Sequence, residues 1–145
     1  MRGLPLDGAY SIVFRSLFSK KPAALTGAPP VRRLKTHSAE SGYVYQYYYE
    51  GYRPFRSGGE TGAEFVFTIS ADRKTWHPAS VLVGDAALAV WETSNGRELC
   101  ATERYAIAKM ALFQAFDERE TPALMKEHVR VRPADVEAIV ETLDL

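Results

Sequence analysis

Alternation with a period of two governs the middle of the chain. In residues 43–50, Tyr43, Tyr45, Tyr47 and Tyr49 fall on one side of an extended backbone, and Val44, Gln46, Tyr48 and Glu50 on the other. The run YVYQYYYEGYR is rich in strand formers and predicts a first strand. Its end is expected at Gly51 or at the Arg53–Pro54 step, because a residue before proline is restricted and proline lacks a donor. RSGGETG then reads as a turn or flexible link. EFVFTIS follows as a second strand, with Phe65, Phe67 and Ile69 on one face and Glu64, Val66, Thr68 and Ser70 on the other. Ala71–Lys74 is a tight turn, and TWHPASVLV a third strand in which Pro78 implies an edge position or a bulge near the start. Three consecutive strands of this kind predict an antiparallel meander.

From Asp85 the period changes. Asp85 suits the N-cap of a short helix, AALAVWET, which Asn95–Gly96 can end. RELCATERYAIAKMALFQAFDE contains neither Gly nor Pro, and between Tyr105 and Phe116 its strongly polar side chains are Lys109 and Gln114. A helix apolar on nearly every side belongs in the centre of a domain, between the sheet and other elements. Thr121–Pro122 opens a short helical turn, EHVRV has the alternation of a fourth strand, and Pro133 begins a last helix with Val136, Ile139, Val140 and Leu143 on one face. The predicted class is α+β: a three- to four-stranded, mainly antiparallel sheet packed against a long central helix plus shorter helices.

Residues 1–40 depart from this pattern. They contain Pro22, Pro29 and Pro30 and seven Lys/Arg against Asp7 and Glu40. SIVFRSLF supports about two turns of amphipathic helix, and no periodic apolar pattern follows it until Tyr43. Three readings fit this leader: an extended or loosely packed tail, an organelle transit peptide, or residues added by a start codon placed too early. The expected organisation is therefore a leader over 1–40 and one α+β domain over 41–145, a division that 145 residues can support without disulfides or metal.

Charge narrows the function classes. The chain is neutral overall, but residues 41–145 carry eleven Lys/Arg against sixteen Asp/Glu, which opposes general affinity for a phosphate backbone. The single cysteine, Cys100, excludes an internal disulfide and fits a reducing compartment: the cytoplasm, or an organelle matrix under the transit-peptide reading. No stretch approaches the ~20 apolar residues that span a bilayer, so no membrane partner is expected.

Catalytic motifs are missing from the sequence. His37, His77 and His128 are widely separated, without a second ligand at zinc-like spacing, and no metal or other cofactor is expected. Cys100 lies between Arg97 and Arg104 and reads as a buried structural cysteine in preference to an activated thiol. SGGETG resembles a phosphate loop only in its glycines, since the lysine and the strand-to-helix context are both missing. Asp117, Glu118 and Glu120 read as a solvated helix end.

The tyrosines are what distinguishes this chain, six of its eight lying within residues 43–53. Phenols suit a face that is apolar beneath and wet at its rim. Three uses fit the ladder of Tyr43, Tyr45, Tyr47 and Tyr49. It is packed core under the long helix, or an exposed face for a protein partner or a second copy, or a platform on which single-stranded nucleic acid stacks. Tyr52, Arg53 and Arg56 extend the candidate site, the arginines meeting phosphates in the nucleic-acid reading, and Trp76–His77 adds a second aromatic group. The leading expectation is a non-enzymatic binding domain that takes a protein partner or self-associates through the tyrosine-rich strand. Nucleic-acid binding is the first alternative. The second is a small-molecule or enzyme pocket between sheet and long helix, bordered by His77, Tyr47 and Trp91.

Overall fold

The tyrosine-rich strand is the spine of the sheet. The computed structural model describes residues 22–145. Strands β2 (Val44–Ser57) and β3 (Glu60–Ser70) form a long antiparallel hairpin, closed at Gly58 and Gly59, whose φ values of 57° and 84° only glycine adopts easily. Strand β4 (His77–Gly84) continues the meander antiparallel to β3. The turn between them is held by Asp72, whose carboxylate accepts from the backbone N–H groups of Lys74 (2.8 Å) and Thr75 (2.7 Å). Those two bonds pull the Asp72 pKa down to about 2.

Two short strands complete a sheet of five, one of them the fourth strand expected at EHVRV and the other unpredicted. Strand β1 (Lys35–Ser38) pairs antiparallel with β2, and β5 (Val129–Val131) pairs parallel with β4, giving the order β1-β2-β3-β4-β5. The sheet is thus mixed, and it begins ahead of the domain boundary expected at residue 41. KTHS lacks an apolar alternation of its own, and its place in the sheet comes from backbone pairing with Tyr45 and Tyr47. Strand β5 is parallel because the helices between it and β4 form a crossover, which returns the chain in the same direction. Its ladder covers only Val81–Val83, so Pro78 lies where β4 is an edge. The helix and targeting readings of the first residues lie outside the described residues.

Strand β2 runs through both expected stops. Tyr49 pairs with Phe67 and Gly51 with Val66, so Glu50 is the extra residue of a β-bulge. The bulge shifts the parity of everything after it. Tyr52 therefore joins the row of Tyr45, Tyr47 and Tyr49, opposite Phe65, while Arg53 faces the other way. Gly51 is required here: its φ is 119°, and a Cβ would lie 2.5 Å from the carbonyl oxygen of Thr26. Thr26 and Tyr52 exchange two backbone hydrogen bonds of 2.8 Å beside the bulge, which ties residues 26–34 to the edge of the sheet.

Two helices pack on one face of the sheet and a third packs against them. Helix α1 (Asp85–Asn95) is capped by Gly84, one residue before the expected cap, because Asp85 accepts the Thr61 hydroxyl (2.8 Å) from the first turn. It ends at Gly96 with a φ of 68°, as the Asn95–Gly96 pair predicts. Helix α2 (Ala101–Glu118) starts later than its apolar pattern suggested. Glu103 accepts the Cys100 N–H (2.9 Å) and binds Arg97 (3.1 Å), so Arg97–Cys100 form a cap and not a further turn. From Glu103 to Asp117 no residue is exposed, which makes α2 central. A 3-10 turn (Pro122–Lys126) leads to β5, and helix α3 (Pro133–Leu143) buries Val136, Ile139 and Val140. These residues, those of α2 and the inner sheet residues Phe65, Phe67, Ile69, Val81 and Val83 form one core.

Candidate functional site

The inner row of β2 meets different neighbours at its two ends. Near its start, Tyr45 stacks on Phe116 of α2 with ring centroids 4.0 Å apart and planes 10° from parallel. Tyr47 stands edge-on to Phe113 at 5.6 Å. Both tyrosines are buried, at 0% and 3% exposure. The Tyr45 hydroxyl is fully enclosed and has no hydrogen-bond partner among the described residues.

Further along, the fit loosens. Tyr49 contacts Tyr105 of α2 with centroids 4.6 Å apart, and around this pair a cavity of about 500 Å3 opens to solvent. Its floor is the inner face of Tyr47, Tyr49, Tyr52 and Phe65, and its far wall is the first turn of α2, Ala101, Thr102 and Tyr105. The segment tied to the bulge closes the remaining side with Gly27, Pro29, Arg33 and Lys35. Its position is fixed by the backbone bridge at Thr26 and the ladder that begins at Lys35.

The electrostatics of this cavity are one-sided. Its described lining holds no Asp or Glu, and Arg33 and Lys35 take part in no ion pair among the described residues. Burial raises the phenols, Tyr47 to about 12 and Tyr49 and Tyr105 in the same direction. The neighbouring Tyr105 phenol adds to the shift of Tyr47 and of Tyr49. All three therefore carry their protons at neutral pH and can donate a hydrogen bond. Lys109, one turn along α2 from Tyr105, is pushed down by burial and by the like charge of Lys35.

The other predicted site residues are dispersed. Tyr43 is 37% exposed and lines a separate hollow of about 320 Å3 with His77, Asp72 and Lys126. Trp76 lies with Tyr48 on the opposite sheet face, their centroids 5.6 Å apart, away from Tyr47 and Tyr49. Arg32, from the leader, covers the Tyr48 ring at 4.0 Å and pairs with Glu50. Arg53 is on that face too, bound to Glu64 (2.9 Å), which also accepts the Ser80 hydroxyl (2.6 Å). Of the two arginines expected to meet phosphates beside the tyrosine row, Arg53 thus points away from it, because the bulge reversed its side. Arg56 is exposed near the hairpin turn. Of the pocket expected between His77, Tyr47 and Trp91, only Tyr47 lines the cavity. Trp91 is buried on α1 beneath Arg97, whose guanidinium is 5.1 Å from its ring.

Asp117 also has a different role from a solvated end. It accepts the Glu40 N–H (3.0 Å) and meets His37 Nε2 at 2.9 Å, which ties the β1–β2 connection to the last turn of α2. Cys100 is exposed and not buried as expected, because it is the N-cap that precedes α2 and not a residue of its inner face. Among the described residues no group of three or more His, Cys, Asp or Glu is placed to hold a metal ion, and no helix is long and apolar enough to cross a membrane.

Sequence reasoning missed Arg33, Lys35, Phe65 and Tyr105 as site residues. Phe65 and Tyr105 read as ordinary core and helix positions, and the two cations belonged to a segment with no periodic pattern. Excess positive charge in the leader was the one available signal. Compared with known protein families, with curated proteins and with solved structures, the chain matches none.

Proposed function

We propose that this chain is a small-molecule-binding domain whose site is the aromatic cavity between the inner face of β2 and the first turn of α2. The observation that carries the reading is the cavity itself. At about 500 Å3 it has the size of ligand pockets, ~300–1,000 Å3, with an apolar floor and few polar groups. The lining residues offer phenols and two cations but no His, Cys, Asp or Glu. Association through a four-phenol ladder has less support, because Tyr45 and Tyr47 are buried under α2. Nucleic-acid stacking is weakened for the same reason and by the opposed direction of Arg53.

Titration with N-phenyl-1-naphthylamine, a neutral aromatic fluorophore, tests this reading. Wild type should enhance its emission saturably. Tyr49→Ala and Tyr105→Ala should each weaken binding about three- to tenfold, from the ~0.5–1.5 kcal/mol of an aromatic contact. Saturable binding that neither substitution changes would place the site elsewhere and overturn the reading.

A further inference from the structure

This inference rests on the cavity reading and concerns the chemistry of what fills it. We infer that the ligand is an amphipathic organic anion: a flat apolar or aromatic body on the tyrosine floor, and one acidic group held at the rim by Arg33 and Lys35. Three independent features of the cavity point the same way.

The first is the placement of charge. Arg33 and Lys35 come from one short segment that residues 26 and 35 anchor to β2, and both line the opening without a carboxylate to neutralise them among the described residues. Glu50, the extra residue of the bulge, is turned to the other sheet face and satisfied by Arg32 and Thr68. Glu103 lies in the first turn of α2, but it does not line the cavity and is occupied by Arg97 and the Cys100 N–H. A third cation, Lys109, is close enough to Lys35 for their like charges to interact.

The second is the set of hydrogen-bond donors. The phenols of Tyr47, Tyr49 and Tyr105 keep their protons, so they present O–H donors and not competing negative charge. Ala101 and Thr102, which line the far wall, are the first residues of an 18-residue helix, where backbone N–H groups and the positive end of the helix dipole lie. Cations, neutral donors and a helix start therefore converge on one opening.

The third is the apolar floor, which sets the rest of the ligand. Tyr49, Tyr52 and Phe65 supply ring faces, and a simple inorganic anion would leave them unused. Ring faces alone would suit an organic cation through cation–π attraction. Here the same opening carries two positive charges with no ion-pair partner among the described residues, and like-charge repulsion opposes that occupant. An anion with an apolar body uses both halves of the site.

The matched probe pair is 8-anilino-1-naphthalenesulfonate and N-phenyl-1-naphthylamine, which share one ring system and differ by the sulfonate. The full chain should bind the sulfonate at least about tenfold more tightly, the gain of a charge-assisted contact. In Arg33→Gln/Lys35→Gln that preference should disappear while the neutral probe changes less than about twofold. Both side chains are exposed, so the variant should keep its thermal midpoint, checked by circular dichroism. Equal affinity of the two probes for wild type, or a preference for the sulfonate that survives the double substitution, overturns the inference and leaves the cavity reading in place. Failure of both probes to bind removes both readings.

Discussion

Two ends of one tyrosine row show how little the residue type decides by itself. Tyr45 is sealed and Tyr47, although it lines the cavity, is nearly so, whereas Tyr49 and Tyr52, two and five positions beyond Tyr47, are more exposed. The strand offers the same ring at each position, and what differs is the helix surface opposite. The last turns of α2 present Phe113 and Phe116, whose rings fill the gap, Phe116 stacked on Tyr45 and Phe113 edge-on to Tyr47. Its first turn presents Ala101 and Thr102, which are too short to reach the sheet. A tyrosine row meeting a helix that tapers from large to small side chains gives a packed core at one end and a cavity at the other.

The closed end should be the more sensitive to loss of a side chain. Phe116→Ala removes a fully buried ring that supports Tyr45, Tyr47 and His37. The expected loss is about 3–5 kcal/mol, read from urea unfolding. A loss below about 1 kcal/mol would mean that this end is as loose as the other.

A smaller effect of opposite sign is expected at Tyr45. Its hydroxyl is enclosed without a partner among the described residues, so Tyr45→Phe removes a desolvated polar group and keeps the ring stack. Stability should rise by about 1 kcal/mol. A clear decrease would show that the hydroxyl is bonded in solution, most simply through a buried water.

Alkaline pH sharpens the contrast most finely. The Tyr47 phenol titrates near 10 in an unfolded chain and near 12 in the folded one. The folded state therefore holds its proton more tightly, and Tyr47 makes unfolding easier as pH rises. Its contribution to stability is complete below pH about 10 and is lost on going from about 10 to 12. Tyr49, Tyr45 and Tyr105 shift in the same direction. Tyr47→Phe should move base-induced unfolding, followed by circular dichroism and tyrosinate absorbance, to higher pH. An unchanged midpoint would assign base unfolding to other groups.

Much of the architecture was legible in local pattern. The meander of β2, β3 and β4, the inward set Phe65, Phe67 and Ile69, the centrality of α2 and the inward face of α3 all follow from periodicity. Gly96 and Pro133 marked helix ends because backbone geometry demands them. The bulge at Glu50–Gly51 was not legible. EGYR reads equally well as a stop, and only pairing with β3 carries the strand through it. Strand β1 was hidden for a related reason. A four-residue edge strand needs backbone partners more than an apolar face, and those partners are supplied by β2.

The site divides along the same line. By itself, the amino-acid order determined that phenols would line one face of a strand, that an unusually apolar helix would lie over a sheet, and that positive charge would concentrate ahead of residue 41. These are properties of neighbours in the chain, which period and composition record. Tertiary structure alone decided which phenols are sealed, which side Arg53 takes, and that Arg33 and Lys35 stand beside Tyr49 and Tyr105. Each depends on contacts between segments far apart in sequence, set by a one-residue bulge and by the size of side chains on a facing helix. A cavity is the volume that such contacts leave unfilled, so it has no signature in any one stretch of the chain.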